Sequence, residues 1–233
     1  MHKIEIPDHV KERVITRQGK LHAIESLEPE KTALIVVDMQ NYFMAEGQMG
    51  CCADARDIVP NVNCIAGAMR DAGGHVVWIQ NDAPEETLES WANLHAMYSD
   101  ENRKTRMAGL ASGSEGYALW GDLDVRPEDM HTVKTRYSAF IRGASDIESQ
   151  LQERGVDTII VTGVATNVCC ESTARDAMML GYRTIMVADA NAAPTDAEHN
   201  AALAGFMLFF GDVQYSDEVI EKLQKSVPLA QAS

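Results

Sequence analysis

Apolar positions along the chain alternate between two patterns. The runs TALIVVDM (Thr32 to Met39), HVVWIQ (His75 to Gln80), TIIVTGV (Thr158 to Val164) and YRTIMVADA (Tyr182 to Ala190) are short, continuous and rich in β-branched residues. Such runs read as strands buried on both faces. Between them the spacing becomes helical: in NVNCIAGAMRDAG, Val62, Ile65, Ala66 and Met69 share one face before a Gly-Gly stop, and Cys64 is placed with them. IESQLQERG, STARDAMMLG and AEHNAALAGFMLFFG read as helices stopped by Gly155, Gly181 and Gly211, and DEVIEKLQKS closes the chain as an amphipathic helix. HTVKTRYSAF holds only a short run near Val133, and DVQYS offers an edge strand.

Apolar strands separated by helices imply a parallel sheet covered on both faces. The expected fold is α/β, a three-layer doubly wound sandwich of Rossmann-like form with a mainly parallel sheet of about six strands. In such sheets ligands bind outside the carboxyl ends of the strands, so polar residues there become candidates for function. The stretch from Asp82 to Asp129 exceeds ordinary loop lengths, with room for a helix in SWANLHAMYS, and is a candidate lid or oligomer contact.

At 233 residues, with no linker-like composition shift, a single domain is expected over 31–225, with an N-terminal arm over 1–30 and a short tail over 226–233. The apolar runs are too short for a membrane span, and MHKIEIPDHVKERVITRQGK lacks the apolar core of a signal peptide, so a cytoplasmic location is expected. Five cysteines without a C-x-x-C pair are read as free thiols. A formal charge of −15 with scattered Lys and Arg disfavours nucleic acid as a partner and favours neutral or cationic small substrates over anionic ones.

Chemistry-bearing residues then stand out by position. Asp38 ends the first apolar run, where an acid must be solvated, paired, capping a turn or catalytic. Lys134, two residues before Arg136, reads by itself as a solvated surface charge. Cys169 and Cys170 sit between a strand and a helix, at the positive end of the helix dipole, which favours a thiolate. Successive residues at a helix start point about 100° apart, so one of the two can face the crevice while the other packs inward. The geometry does not choose between them. Cys51 and Cys52 occupy a loop with no link to this chemistry, and no paired-histidine, GxGxxG or P-loop pattern occurs, so neither a metal nor a nucleotide cofactor is expected.

Three segments together, TALIVVDMQN, VKTRYSAF and GVATNVCCESTARDA, resemble the signatures of the isochorismatase-like cysteine hydrolases, in order and spacing from about Lys31 to Leu223. The superfamily includes nicotinamidases, N-carbamoylsarcosine amidohydrolase, biuret hydrolase and ureidoacrylate amidohydrolase. The resemblance implies a catalytic Asp38, Lys134 and Cys169, with Cys170 where relatives usually carry valine. It further implies a cis peptide between Val164 and Ala165 and an oxyanion hole from the N–H groups of Ala165 and Cys169. Where nicotinamidases carry a metal-binding Asp-x-His segment this chain has WIQNDAPEE, and the combination of motifs is most similar to the ureidoacrylate branch. The implied activity is hydrolysis of a C–N bond in a small ureido or carbamoyl compound of ureidoacrylate, biuret or guanylurea type, without a cofactor, by a homodimer or homotetramer.

For substrate contact the candidates are Gln40, Asn81, Tyr137 and Ser138, the first two offering both donor and acceptor as a urea requires, with Phe43 as a possible pocket wall. Alternatives are a nicotinamidase-like or aliphatic amidase and a non-catalytic small-molecule binder on the same fold. Retention of all three catalytic-type residues speaks against the binder.

Overall fold

The computed structural model describes residues 1–226. Six strands form one sheet: β1 (Thr32–Val37), β2 (His75–Asn81), β3 (Met130–Lys134), β4 (Thr158–Val164), β5 (Arg183–Ala192) and β6 (Asp212–Gln214). Their order is β3-β2-β1-β4-β5-β6, and every neighbouring pair is parallel. From β1 the chain moves outward to β2 and β3, then returns to the other side of β1 for β4. The switch point therefore lies between the carboxyl ends of β1 and β4, where a crevice opens in doubly wound sheets.

The helices, in chain order, are α1 (Asp8–Gln18), α2 (Asn41–Met44), α3 (Val59–Asp71), α4 (Thr87–Ser90), α5 (Ala92–His95), α6 (Asp100–Leu110), α7 (Ile147–Glu153), α8 (Glu171–Met179), α9 (Asp196–Phe209) and α10 (Ser216–Ser226). One sheet face presents Ile35, Val37, Val77, Ile79, Ile159 and Val161 to α1, α7, α8 and α9. The other presents Leu34, Val36, Val76, Trp78, Ile160 and Ile185 to α3 and α10. Alternate residues of each strand thus feed two separate cores, which is why the runs are apolar throughout. None of the described helices is long and apolar enough to cross a membrane.

Residues 1–30 lie on their own chain. Val10 and Val14 of α1 pack in the core beside Leu203, Phe206 and Met207 of α9, while Ile24 and Leu27 join the opposite core. The tail expected over 226–233 lies, Ser226 apart, outside the described residues.

Three local readings change. The stretch from Asp82 to Asp129 carries α4, α5 and α6. α6 escapes a hydropathy reading because DENRKTRMAGL is almost wholly polar and buries only Arg106 and Leu110. Its signal is a cap: Ser99 Oγ accepts from Asn102 N, with Asp100 and Glu101 in the first turn. In β3 the apolar Val133 is 43% exposed while Thr132 and Lys134 point inward, because the strand is paired on one side only and its parity is set by Asn81 facing Lys134. Cys64 is exposed, since on α3 it falls roughly opposite the face shared by Val62, Ile65, Ala66 and Met69.

Candidate active site

The carboxyl end of the sheet is shaped first by backbone. Gly163, with φ of +115°, lies so close to β1 that a Cβ there would stand 2.1 Å from Val37 O and 2.7 Å from Val37 N. Only glycine permits this approach. The pairing of β4 with β5 shifts register between Val161 and Gly163, and the Val164–Ala165 peptide is cis. Thr166 to Cys170 then form a single wide π-type turn leading into α8, with Cys170 N donating to Ala165 O at 3.1 Å. Across the switch point, Asp38 leaves β1 with a φ of +52°, its N–H held by Ile79 O at 2.9 Å.

These turns bring three side chains together. Lys134 Nζ donates to Asp38 Oδ2 at 2.7 Å and to Arg136 O at 3.0 Å, and both Asp38 and Lys134 are 0% exposed. Cys169, 4% exposed, lies close enough to both for their charges to move its proton affinity. Asp38 Oδ1 is buried and accepts no hydrogen bond of good geometry among the described residues. Burial raises the Asp38 pKa above the ordinary carboxylate value, outweighing the opposing pull of Lys134. Lys134 is held above its usual value because the attraction of Asp38 and Cys169 overcomes burial.

The Cys169 thiol is pushed up to about 12, mainly by burial, with Lys134 pulling it down and Asp38 pushing it up. A thiolate favoured by the helix dipole is therefore not the resting state, because loss of solvation exceeds what one helix end supplies. Cys170 differs in being 0% exposed with its Sγ donating to Thr162 O at 3.9 Å, although both cysteines border the same apolar core.

The remaining sequence candidates divide. Gln40 is fully buried and committed to backbone: its Nε2 donates to Asn81 O at 3.1 Å and Tyr117 O at 2.9 Å, and its Oε1 accepts from Asn81 N at 2.7 Å. It ties the ends of β1 and β2 together. Asn81 faces the same side of the sheet as Lys134 and keeps a buried Oδ1 without a partner among the described residues. Tyr137 lies near Cys169, its pKa raised chiefly by burial, and its ring meets Trp91 edge-on at 4.9 Å. Ser138 Oγ accepts from Phe140 N at 3.1 Å, and Phe43 packs edge-on against Tyr42 at 4.9 Å. Hydropathy reading missed Trp91, which carries Arg136 on its ring at 5.1 Å, and Arg106 of α6, whose charge reaches Asp38 and Tyr137.

Among the described residues one group has metal-compatible spacing: His2, Asp54 and Asp196. Its hydrogen bonds argue against a ligand role. His2 Nε2 accepts from Ala193 N at 3.0 Å, so the ring proton resides on Nδ1, which faces Asp196 Oδ1 at 2.8 Å and has no lone pair to offer. The group instead buttresses the Cys169 turn from behind: His2 stacks on His199 at 4.4 Å, and His199 Nδ1 meets Thr166 Oγ1 at 2.8 Å. A cleft of about 430 Å³ under the N-terminal arm, lined by Ile4, Leu21, His22 and Glu218 among others, lies apart from the three clustered side chains.

Comparison with known proteins agrees with the fold. An isochorismatase domain model matches residues 32–218. Ureidoacrylate amidohydrolase RutB of Klebsiella pneumoniae subsp. pneumoniae is 34% identical over 222 residues, covering 89% of this chain and 93% of that protein. RutB of Stutzerimonas stutzeri is 34% identical over 224 residues, 89% of each. Among solved structures, a cysteine hydrolase from Pseudomonas syringae pv. phaseolicola superposes with a TM-score of 0.78 at 28% identity, over 87% of this chain and 96% of that one. An N-carbamoylsarcosine amidase from Thermoplasma acidophilum shares the fold, with a TM-score of 0.64 at 24% identity, over 80% and 97%. With a matching domain over most of its length and an Asp, a Lys and a Cys clustered at the switch point of the sheet, the chain belongs to the isochorismatase family.

Proposed function

We propose that the protein is a cysteine-dependent amidohydrolase that cleaves the C–N bond of a small ureido or carbamoyl compound. The observation that carries this reading is the fully buried Asp38–Lys134 pair at the carboxyl ends of β1 and β3, with the buried Cys169 beside it after β4. A base with a raised proton affinity beside a neutral thiol suits proton transfer concerted with attack.

In the proposed reaction Asp38 takes the Cys169 proton as Sγ bonds to the substrate carbonyl carbon, and the carbonyl electrons move to oxygen. The resulting oxyanion is stabilised by the N–H groups of Ala165 and Cys169. Ala165 N has no acceptor among the described residues and is free to donate. Removal of one such donor typically costs on the order of 3 kcal/mol of transition-state stabilisation. Collapse expels the nitrogen, which takes the proton from Asp38 and leaves as ammonia or an amine, with a thiocarbamate or thioester on Cys169. Asp38 then deprotonates water, which attacks that carbonyl; the C–S bond breaks, the acid or carbamate leaves, and the proton passed from Asp38 to sulfur restores the resting site. Lys134 holds Asp38 in place and tempers the cost of ionising it. Asn81 Oδ1, a buried acceptor with no partner among the described residues, offers a seat for a ureido N–H. The RutB relatives support the ureido class in particular.

The test is ammonia release from ureidoacrylate, biuret, guanylurea, N-carbamoylsarcosine and nicotinamide, comparing the native protein with Cys169→Ala and Cys170→Ala. The expected result is release from at least one ureido compound, abolished in Cys169→Ala alone. Release from nicotinamide only, or loss with Cys170→Ala instead, overturns the assignment.

A further inference from the structure

Arg106 is a buried cation that nothing in its surroundings claims. It is 6% exposed, yet its guanidinium meets no acceptor among the described residues. Neighbouring arginines differ: Arg136 donates to Ser90 O at 3.0 Å and Thr135 O at 2.9 Å, and Arg103 pairs with Asp100 at 2.7 Å. The Arg106 nitrogens are not among the fully buried unpartnered atoms, so they keep a narrow contact with solvent and stand open to an anion that enters there.

Its helix places it at the mouth of the site. Gly109 and Leu110, three and four residues further along α6, share the face of Arg106. Gly109 lies so near the Tyr42 ring that a Cβ would stand 2.6 Å from it, and Leu110 packs with Tyr42 and Ala83. Tyr42 follows Asp38 by four residues and Ala83 follows Asn81 by two, so this face of α6 rests on the carboxyl ends of β1 and β2. The charge of Arg106 lowers the proton affinities of Asp38, His95 and Tyr137, which surround it. Asp38 is already engaged by Lys134 at 2.7 Å and does not satisfy it.

We propose that Arg106 receives a carboxylate of the substrate, so that the site selects small ureido acids over neutral ureas. This rests on the reading of Cys169 as the nucleophile at the ureido carbonyl. The planar fork of a guanidinium matches a carboxylate with two parallel hydrogen bonds, which fixes orientation as well as affinity. The formal charge of −15 opposes anions at long range, but screening over about 8 Å confines that field to the exterior, leaving the local cation to decide.

The test is equilibrium binding to full-length Cys169→Ala protein, which cannot turn over, of ureidoacrylate and of the carboxamide made by replacing its carboxylate. The acid is expected to bind about 100-fold more tightly than the amide, as for a buried charge pair. In Cys169→Ala/Arg106→Gln the ratio falls to near one, and Arg106→Lys retains part of it because charge survives while the fork is lost. Equal affinity for acid and amide in Cys169→Ala, or an unchanged ratio in a folded Arg106→Gln variant, overturns the proposal; the first comparison needs no change at Arg106. Ammonia release by the native protein separates the two readings. No release from any ureido compound, with the acid preference intact, overturns the hydrolase and leaves the role of Arg106 standing. Release from biuret without an acid preference does the reverse.

Discussion

Asp129 and Asp38 each accept from an enclosed cationic side chain, and their proton affinities move in opposite directions. Asp129 accepts from Arg70 Nε at 2.9 Å and Nη2 at 2.7 Å, from Trp78 Nε1 at 2.8 Å and from Arg126 N at 2.9 Å. Burial pushes its pKa up, but these donors win and hold it below the ordinary value. Asp38 is sealed completely and, among the described residues, has Lys134 as its one nitrogen donor of good geometry, with Oδ1 left open, and burial wins. A carboxylate saturated with donors is a structural knot, here tying α3, β2 and the approach to β3. A carboxylate starved of donors is a base in waiting.

Substitution separates the two most widely. Asp38→Asn should lower ammonia release by about 1000-fold, the scale of losing a general acid–base, because the amide cannot take the thiol proton. Asp129→Asn should leave release within about threefold while lowering unfolding free energy by about 1.5 kcal/mol, since it removes one of the two carboxylates that pair with Arg70 and leaves Asp124 in place. Steady-state assays with chemical denaturation on both variants check the pair. Similar activity losses in both would remove the distinction.

Acidity sharpens the same contrast. The pKa of Asp129 is depressed on folding, so its contribution to stability is present above the unfolded value, near 3.9, and is lost as pH falls through the folded value. That of Asp38 is raised, so its contribution is fully present below the unfolded value and is lost as pH rises through the folded one. The acid limb of ammonia release should accordingly lie above the ordinary carboxylate range. Lys134→Gln should move it further up, because the charge that favours ionised Asp38 is gone. A limb that stays in place in Lys134→Gln, measured as kcat against pH, would assign it to another group.

The smallest effect concerns the second thiol. Cys170→Val should change stability by less than about 1.5 kcal/mol and keep activity, as expected for a core group that takes no part in the chemistry.

Much of the frame was legible in one dimension. β1, β2, β4 and β5 appear as apolar runs because both sheet faces are covered; Gly155 and Gly181 mark helix ends because they leave with positive φ, and Gly211 because a Cβ there would stand 2.4 Å from Thr184 O. Lys134 was not legible from hydropathy: it looks like a surface charge next to an apolar Val133, and only pairing with β2 turns the lysine inward and the valine out. Gln40, a plausible urea contact by type and place, spends both ends of its amide on backbone. Arg106 lies in a helix that hydropathy does not reveal.

The sequence by itself determined the layers, the parallel sheet and the positions where polar residues interrupt apolar runs, because these follow from local periodicity and from what glycine allows. Only the tertiary structure decided which of those polar residues meet. Burial, donor count and strand parity are properties of contacts between segments 96 residues apart, such as Asp38 and Lys134. Those contacts raise the proton affinity of an acid at a strand end and bring it and a lysine close to one cysteine of an adjacent pair.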